Sequence, residues 1–363
     1  MNDSHPGAQT IICLASYFKG IDFLREAKRL GFRVLLVTKE RLLQEEWPRA
    51  SLDDIVAVPD DAGPDIFLHV VSQLARTHQL ARVVALEEYD VLTAALIREH
   101  LCLPGMTSAQ ARVFRDKLSM RVRAHEAGIR VPDFTHVLNY ERLHEFMQRV
   151  PAPWVLKPRS DVSAMGIRKL QDSEQVWRAI DELDARERLH ERSSYYLLER
   201  FVPGEVFHVD SGVANGKIAF AGVNRYGRPP MDVAHGGGVF ISQTVRHGSA
   251  DQRKLLKANR RLIKSLGLTD GAAHAEFIKG EADGEFYFLE IAARVGGAYI
   301  AETLEAASGV NLWREWARIE AADREHPYRP PESDKAYGGI VLARATGRPR
   351  HQQLHRPGDS LSR

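Results

Sequence analysis

The residues with the clearest capacity for chemistry lie in Phe286 to Gly297, FYFLEIAARVGG, where Glu290 and Arg294 interrupt an aromatic and apolar alternation. A buried carboxylate or guanidinium is costly unless partnered. The preceding segment AHAEFIKG carries a second glutamate, Glu276, and EADGE (281–285) joins the two. A three-residue connection Ala282-Asp283-Gly284, with the glycine left-handed, is a common hairpin loop. It sets 281 opposite 285 and therefore Glu276 opposite Glu290. Facing carboxylates repel, and burial worsens the conflict. A divalent cation removes it. An oxygen-only pair suits Mg²⁺, which typically takes one or two protein carboxylates together with water and substrate phosphates. On this reading Glu290→Gln relieves repulsion and raises the melting temperature of the metal-free protein. Arg294 shares the parity of the glutamates and so points to the same face, placed for a phosphoryl or carboxylate oxygen. The bland alternative is a hairpin with one solvated face.

A metal with nucleotide phosphates calls for cations on other elements. Lys157 sits in the apolar strand WVLKP, where an ammonium needs an anionic partner. Lys117 opens a helix in RDKLSMRVRAHEAGIRVP. The loop SDVSAMG (160–166) is built of small residues whose backbone N–H groups can cover phosphates. Each of these signals is weak by itself.

The elements that must position these residues can be read from periodicity. TIICLA, RVLLV, DIVAV and RVVALE are short β-rich runs separated by helical patterns such as GIDFLREAKRL and DIFLHVVSQLAR. Such alternation implies a parallel sheet with helices on both faces. Its first turn, ASYFKG, lacks the G-x-G-x-x-G of a dinucleotide site, so NAD is not expected there. Asp90 reads as a helix N-cap. Further on come a strand near Val131, helices over 140–149, 173–184 and 251–266, and a hairpin turned at Asn215-Gly216.

Composition narrows the class. The chain has 363 residues, 44% hydrophobic and 27% charged, with net charge +2, which implies no general attraction to nucleic acid or to anionic membrane. No apolar run approaches the ~20 residues of a membrane span. The N-terminal MNDSHPGAQT lacks the basic flank and apolar core of a secretory signal. Cys13 and Cys102, the two cysteines, read as reduced core residues, and a cytoplasmic location is expected.

Taken in order, these motifs resemble the ATP-grasp superfamily of carboxylate–amine ligases. RDKLSMRVRAHEAGIRVP is similar to that family's helix with a phosphate-binding lysine followed by Gly-x-x-x-Pro, and WVLKPRSDVSAMG to its strand lysine and phosphate loop. YLLERFVPGEVFHVD resembles the segment joining the two ATP-binding lobes, and AEFI with FLEIAARVGG its metal-binding hairpin. The resemblance implies an α/β chain with the ATP-grasp fold: an N-terminal parallel-sheet domain over 1–106, small central and lid lobes over 107–200, a catalytic lobe over 201–335 and an extension over 336–363. It implies ATP and Mg²⁺ as cofactors. Lys117 and Lys157 would meet ATP phosphates, and Glu199 with the backbone around Phe201 and Val202 would receive adenine. Glu276 and Glu290 would bind Mg²⁺, and Arg294 with Lys157 would assist phosphoryl transfer.

The sequence departs from the family pattern in two places. The further metal ligand, an Asn two residues after the second glutamate, is Ala292 here; His274, opposite it in the expected register, is a candidate helper through water. The linker's ribose-binding Glu is Val206, which leaves Glu205 or His208 for the ribose. HGGGVF (235–240), Arg246 and His247 are weaker candidates for substrate contact, as are Glu87 and Glu88 after a strand. The resemblance is strongest to the L-amino-acid ligase branch. It implies an ADP-forming ligase that makes an amide, most simply a peptide bond, from small-molecule carboxylate and amine substrates through an acyl phosphate. The alternatives are another ATP-grasp C–N or carboxylase-type ligase, although no biotin-carrying Met-Lys-Met occurs, and a nucleotide-binding module without ligase activity. A homodimer is one expected assembly, and a tail shorter than in many relatives leaves room for a partner to complete the substrate pocket.

Overall fold

The computed structural model describes residues 9–161, 166–186, 192–323 and 325–343, with the backbone alone at 234 and 235. Four strands, β1 (Thr10–Ala15), β2 (Arg33–Lys39), β3 (Asp54–Val58) and β4 (Leu80–Ala85), form a parallel sheet in the order β3-β2-β1-β4. Their near-continuous apolar runs follow from coverage of both faces. Helices Pro64–Leu74 and Val91–His100 pack on one face. The other is shared by helix Ile21–Arg29 and by Leu304, Trp313 and Trp316 from helices near the far end of the chain. The first and last parts of the chain thus share one core.

A second, antiparallel sheet comprises β5 (Phe134–His136), β6 (Trp154–Pro158), β7 (Arg168–Leu170) and β8 (Tyr196–Arg200) in the order β5-β8-β6-β7. Helices Tyr140–Arg149 and Ser173–Asp184 cover one of its faces. The strand expected near Val131 begins at Phe134, because Pro132 supplies no backbone donor. The third sheet, also antiparallel, has β9 (Gly204–Ala214), β10 (Lys217–Tyr226), β11 (Phe240–Thr244), β12 (Gly271–Gly280), β13 (Phe286–Ala292) and β14 (Gly339–Leu342) in the order β13-β12-β9-β10-β11-β14. Helices Lys117–Glu126 and Ala250–Leu266 close its far face. Asn215 and Gly216 turn β9 into β10 with φ of 50° and 69°, the left-handed pair a two-residue hairpin requires.

The hairpin β12–β13 reaches the expected pairing by an unexpected route. Its loop has four residues, since Gly280 N–H donates to the Glu285 carbonyl. Near the loop Ile278 therefore pairs with Tyr287 and Phe277 with Phe288. A bulge at Leu289 then shifts the register, and Glu276 faces Glu290. The bulge also reverses the phase of β13: Phe286 and Phe288 pack toward the helices, while Leu289 and Glu290 both turn to the opposite face. Bulges beside functional sites re-aim side chains in this way.

Two smaller expectations are corrected. Cys13 is buried, but Cys102 is exposed in a left-handed turn (φ 53°) after helix Val91–His100. Asp90 precedes that helix yet makes no side-chain cap; it accepts from Ser16 N and Oγ at 2.7 and 2.6 Å, tying the end of β4 to that of β1. No helix among the described residues is long and apolar enough to cross a membrane.

Candidate active site

A cavity of about 900 Å³ lies between the second and third sheets. Lys117, Lys157, Glu199, Phe201, Val202, Glu276, Glu290 and Arg294 all line it. Strand alternation explains the last strands' share: His274, Glu276 and Ile278 of β12 face the cavity, while Ala273, Ala275 and Phe277 face the helices.

The charges in this cavity neutralise one another. Lys117 is the first residue of its helix, which Asp116 caps through Leu118 N and Ser119 N. Its ammonium lies 3.2 Å from Glu290 Oε2 and donates to the Asp161 carbonyl at 2.5 Å. Burial works to raise the Glu290 pKa, but Lys117 and Lys157 outweigh it and hold the carboxyl well below its ordinary range. Lys157 forms an ion pair with Glu199, whose other oxygen accepts from Arg121 Nε at 2.5 Å. Burial and the Arg121 charge together lower the Lys157 pKa to about 8 against the pull of Glu199. Glu199 is itself held low: burial opposes this, but Arg121 and Lys157 prevail. Arg294 donates to Glu88 Oε2 at 2.7 Å, Arg115 to the other Glu88 oxygen at 2.5 Å, and Lys19 pairs with Glu87. The loop after β4 thus docks against the cavity by charge.

Glu276 is held differently. Tyr226 OH donates to its Oε1 at 2.7 Å and His274 Nε2 lies 3.3 Å from the same oxygen. Burial lowers the His274 pKa, but Asp210 and Glu276 overcome it and push it up to about 10. Burial and Glu276 keep the Tyr226 phenol protonated.

Some expected contacts are not made. Glu205 points to the other face of β9, where it pairs with Arg225 at 2.6 Å, and so does not reach the cavity. His208 shares the face of Glu276 but is fully buried, bonded to Asp210 and Ser242, and absent from the cavity wall. Neither lines the cavity, whereas Val206 between them in β9 does. His247 packs its ring at a tilt against Tyr337 and bonds the Ala336 carbonyl, and it does not line the cavity. Residues 162–165 of the phosphate loop and the His235 side chain lie outside the described residues. Arg121, Lys169 and Tyr226 were not singled out from sequence. Arg121 stands one helical turn from Lys117, a spacing that could have flagged it. Lys169, over the Phe201 ring at 3.6 Å, gives no such signal.

Residues 150–302 match the ATP-grasp domain, and residues 24–105 the ATP-grasp N-terminal domain. The chain belongs to the ATP-grasp superfamily. It is 24% identical over 283 residues to the L-arginine-specific L-amino acid ligase of Bacillus subtilis, an alignment covering 77% of this chain and 65% of that one. The chain therefore spans just under two thirds of that relative's length. Among solved structures, an L-amino acid ligase from Bacillus licheniformis superposes with a TM-score of 0.68 at 20% identity, covering 86% of this chain and 74% of that one. An ADP complex of N5-carboxyaminoimidazole ribonucleotide synthetase superposes with a TM-score of 0.69 at 18% identity, covering 92% and 81%. The ATP-grasp fold with an N-terminal parallel sheet is thus found by sequence family and by shape.

Proposed function

We propose that this ATP-grasp protein is an ADP-forming ligase that joins a carboxylate to an amine, with amino acids as the substrate class. The observation that carries the reading is the convergence of two lysines, an arginine and a facing glutamate pair from separate elements on one cavity. Phosphoryl transfer depends on positioning and charge neutralisation, and this set supplies both.

The residues fit a hard cation: Glu276 and Glu290 face each other, offer oxygen only, and open on the cavity. Mg²⁺ held there would neutralise phosphate charge during transfer. The substrate carboxylate oxygen takes the γ-phosphoryl group of ATP, giving an acyl phosphate and ADP. The amine nitrogen then attacks the acyl carbon, the bond to phosphate breaks, and the amine loses a proton as the amide forms. On this reading Lys117 and Lys157, both on the cavity wall, would hold nucleotide phosphates. Arg294 Nε, buried with no acceptor among the described residues, is a donor left for the transferred group.

The test is phosphate release from ATP with amino acids offered singly and in pairs, with Mg²⁺. Release that needs two substrates and yields an amide supports ligation. ATP turnover indifferent to every pair would overturn it.

A further inference from the structure

A buried line of polar side chains crosses the third sheet and ends on Glu276. Ser242 Oγ lies 2.8 Å from His208 Nε2, and His208 Nδ1 lies 2.5 Å from Asp210 Oδ2. The other Asp210 oxygen lies 2.8 Å from His274 Nδ1, whose Nε2 faces Glu276 at 3.3 Å. Sheet register builds this line, because β9 and β12 pair His208 with Glu276 and Asp210 with His274. On the next strand His274 faces Ala292, whose small side chain leaves space for the imidazole. Gly296 packs directly on the line: a Cβ there would come within 2.7 Å of Asp210 Oδ1 and 3.0 Å of His274 Nδ1. The first glycine of RVGG is thus explained by contact with these groups.

His208, Asp210 and His274 have the side-chain types of a metal site and lie close together. Each imidazole, however, spends its Nδ1 on an Asp210 oxygen, which is a hydrogen-bonding arrangement. What the line reaches at its open end is a carboxylate on the cavity wall.

We propose that Asp210 on β9 and His274 on β12 are positioning residues that fix the Glu276 carboxylate for its metal ion, which offsets the loss of a ligand at Ala292. The proposal rests on the metal-binding reading of Glu276 and Glu290. Outer partners of metal-ligating carboxylates set their orientation, and losing one typically weakens metal binding about 10- to 100-fold. A carboxylate with one oxygen fixed by Tyr226 and His274 loses less freedom when it binds an ion.

The experiment measures Mn²⁺ binding by electron paramagnetic resonance with a non-hydrolysable ATP analogue, alongside metal-free analogue binding by calorimetry. Wild type is compared with Glu276→Gln, Asp210→Asn and His274→Gln, each checked for a cooperative melt. The expected result is a large loss of Mn²⁺ affinity in Glu276→Gln and a loss of about tenfold in the other two, with metal-free nucleotide affinity changed by much less than the Mn²⁺ affinity in each. Wild-type Mn²⁺ affinity in both Asp210→Asn and His274→Gln, with the loss confined to Glu276→Gln, would overturn the positioning role and leave the metal reading standing. Unchanged affinity in Glu276→Gln would overturn the metal reading itself. Equal weakening of metal and metal-free nucleotide binding would mark the line as purely structural and also overturn the proposal. His274→Gln keeps a polar group, so it serves if Asp210→Asn fails to fold.

Discussion

Glu276 and Glu290 face each other across one hairpin, yet the protein compensates them by opposite means. Glu290 meets a cation, Lys117, which is also a candidate phosphate ligand. Glu276 meets a tyrosine hydroxyl and an imidazole anchored in the sheet behind it. One partner is exchangeable and the other is fixed. A metal ion on Glu290 would take over the role of the Lys117 ammonium and free that cation for phosphate. Metal and nucleotide would then assist each other beyond their direct contact, while Glu276 keeps its place throughout. Lys157 follows the exchangeable pattern: it pairs with Glu199, which Arg121 continues to hold if the lysine turns to a ligand.

The largest effect that separates the two sides is expected from Glu290→Gln. If Glu290 holds the metal as proposed, Mg²⁺-dependent turnover should fall by about 10²-fold or more. The thermal response is also informative. Sequence alone suggested that removing one of two repelling carboxylates would raise the melting temperature. The Lys117 contact reverses this, because the change takes the charged partner from a buried ammonium and leaves it the Asp161 carbonyl. Stability should drop by about 1–2 kcal/mol. A higher melting point for metal-free Glu290→Gln would mean that repulsion outweighs the ion pair.

The two partners of Glu199 should also come apart. Lys157→Met is expected to weaken nucleotide binding about 30-fold, near 2 kcal/mol, with little change in the melting point. Burial already disfavours this ammonium, and Arg121 remains on Glu199. Arg121→Met should do the reverse, because that side chain is fully buried and does not line the cavity. Calorimetry and thermal melts on both variants decide; equal losses of affinity would erase the distinction.

A smaller effect follows from pH. Nucleotide phosphates favour the Lys157 ammonium, so its pKa of about 8 must rise on binding, with proton uptake between the free and bound values. Affinity should be level below pH 8 and fall as pH climbs above it. Lys157→Arg, which stays charged, should flatten the profile. A wild-type affinity independent of pH up to 9.5 would remove Lys157 from the phosphates.

Much of this site was legible because strand alternation and turn residues act locally. Lys157 within WVLKP, the Asn215-Gly216 turn and the facing glutamates each follow from a few neighbouring residues. The hairpin adds a caution. Its expected three-residue loop is a four-residue loop followed by a bulge, and the two offsets cancel at Glu276 and Glu290. The pairing agrees although the path to it differs, and only the bulge explains why Phe288 turns inward while Glu290 does not. What could not be read are contacts between distant segments. Nothing near Glu88 announces Arg294, and nothing near Asp210 announces His274. Cys102 looked buried because its neighbours are apolar, but a left-handed turn carries it outward.

The smallest expected effect tests the two faces of β9. Glu205 and Val206 are adjacent, and alternation sends them to opposite sides of the sheet. Val206 lines the cavity, whereas Glu205 is exposed and pairs with Arg225. An exposed pair of this kind contributes at most about 1 kcal/mol. Glu205→Gln should therefore leave nucleotide affinity within about twofold, the scale of half a kcal/mol. Val206→Trp, one position on, pushes a bulky ring from the wall into the cavity where the nucleotide is expected and should weaken binding far more. Titration of both variants with an ATP analogue makes the comparison internal to a single strand. A tenfold loss in Glu205→Gln would mean that this carboxylate does reach the ribose, and that β9 presents its other face to the nucleotide when ligand is bound.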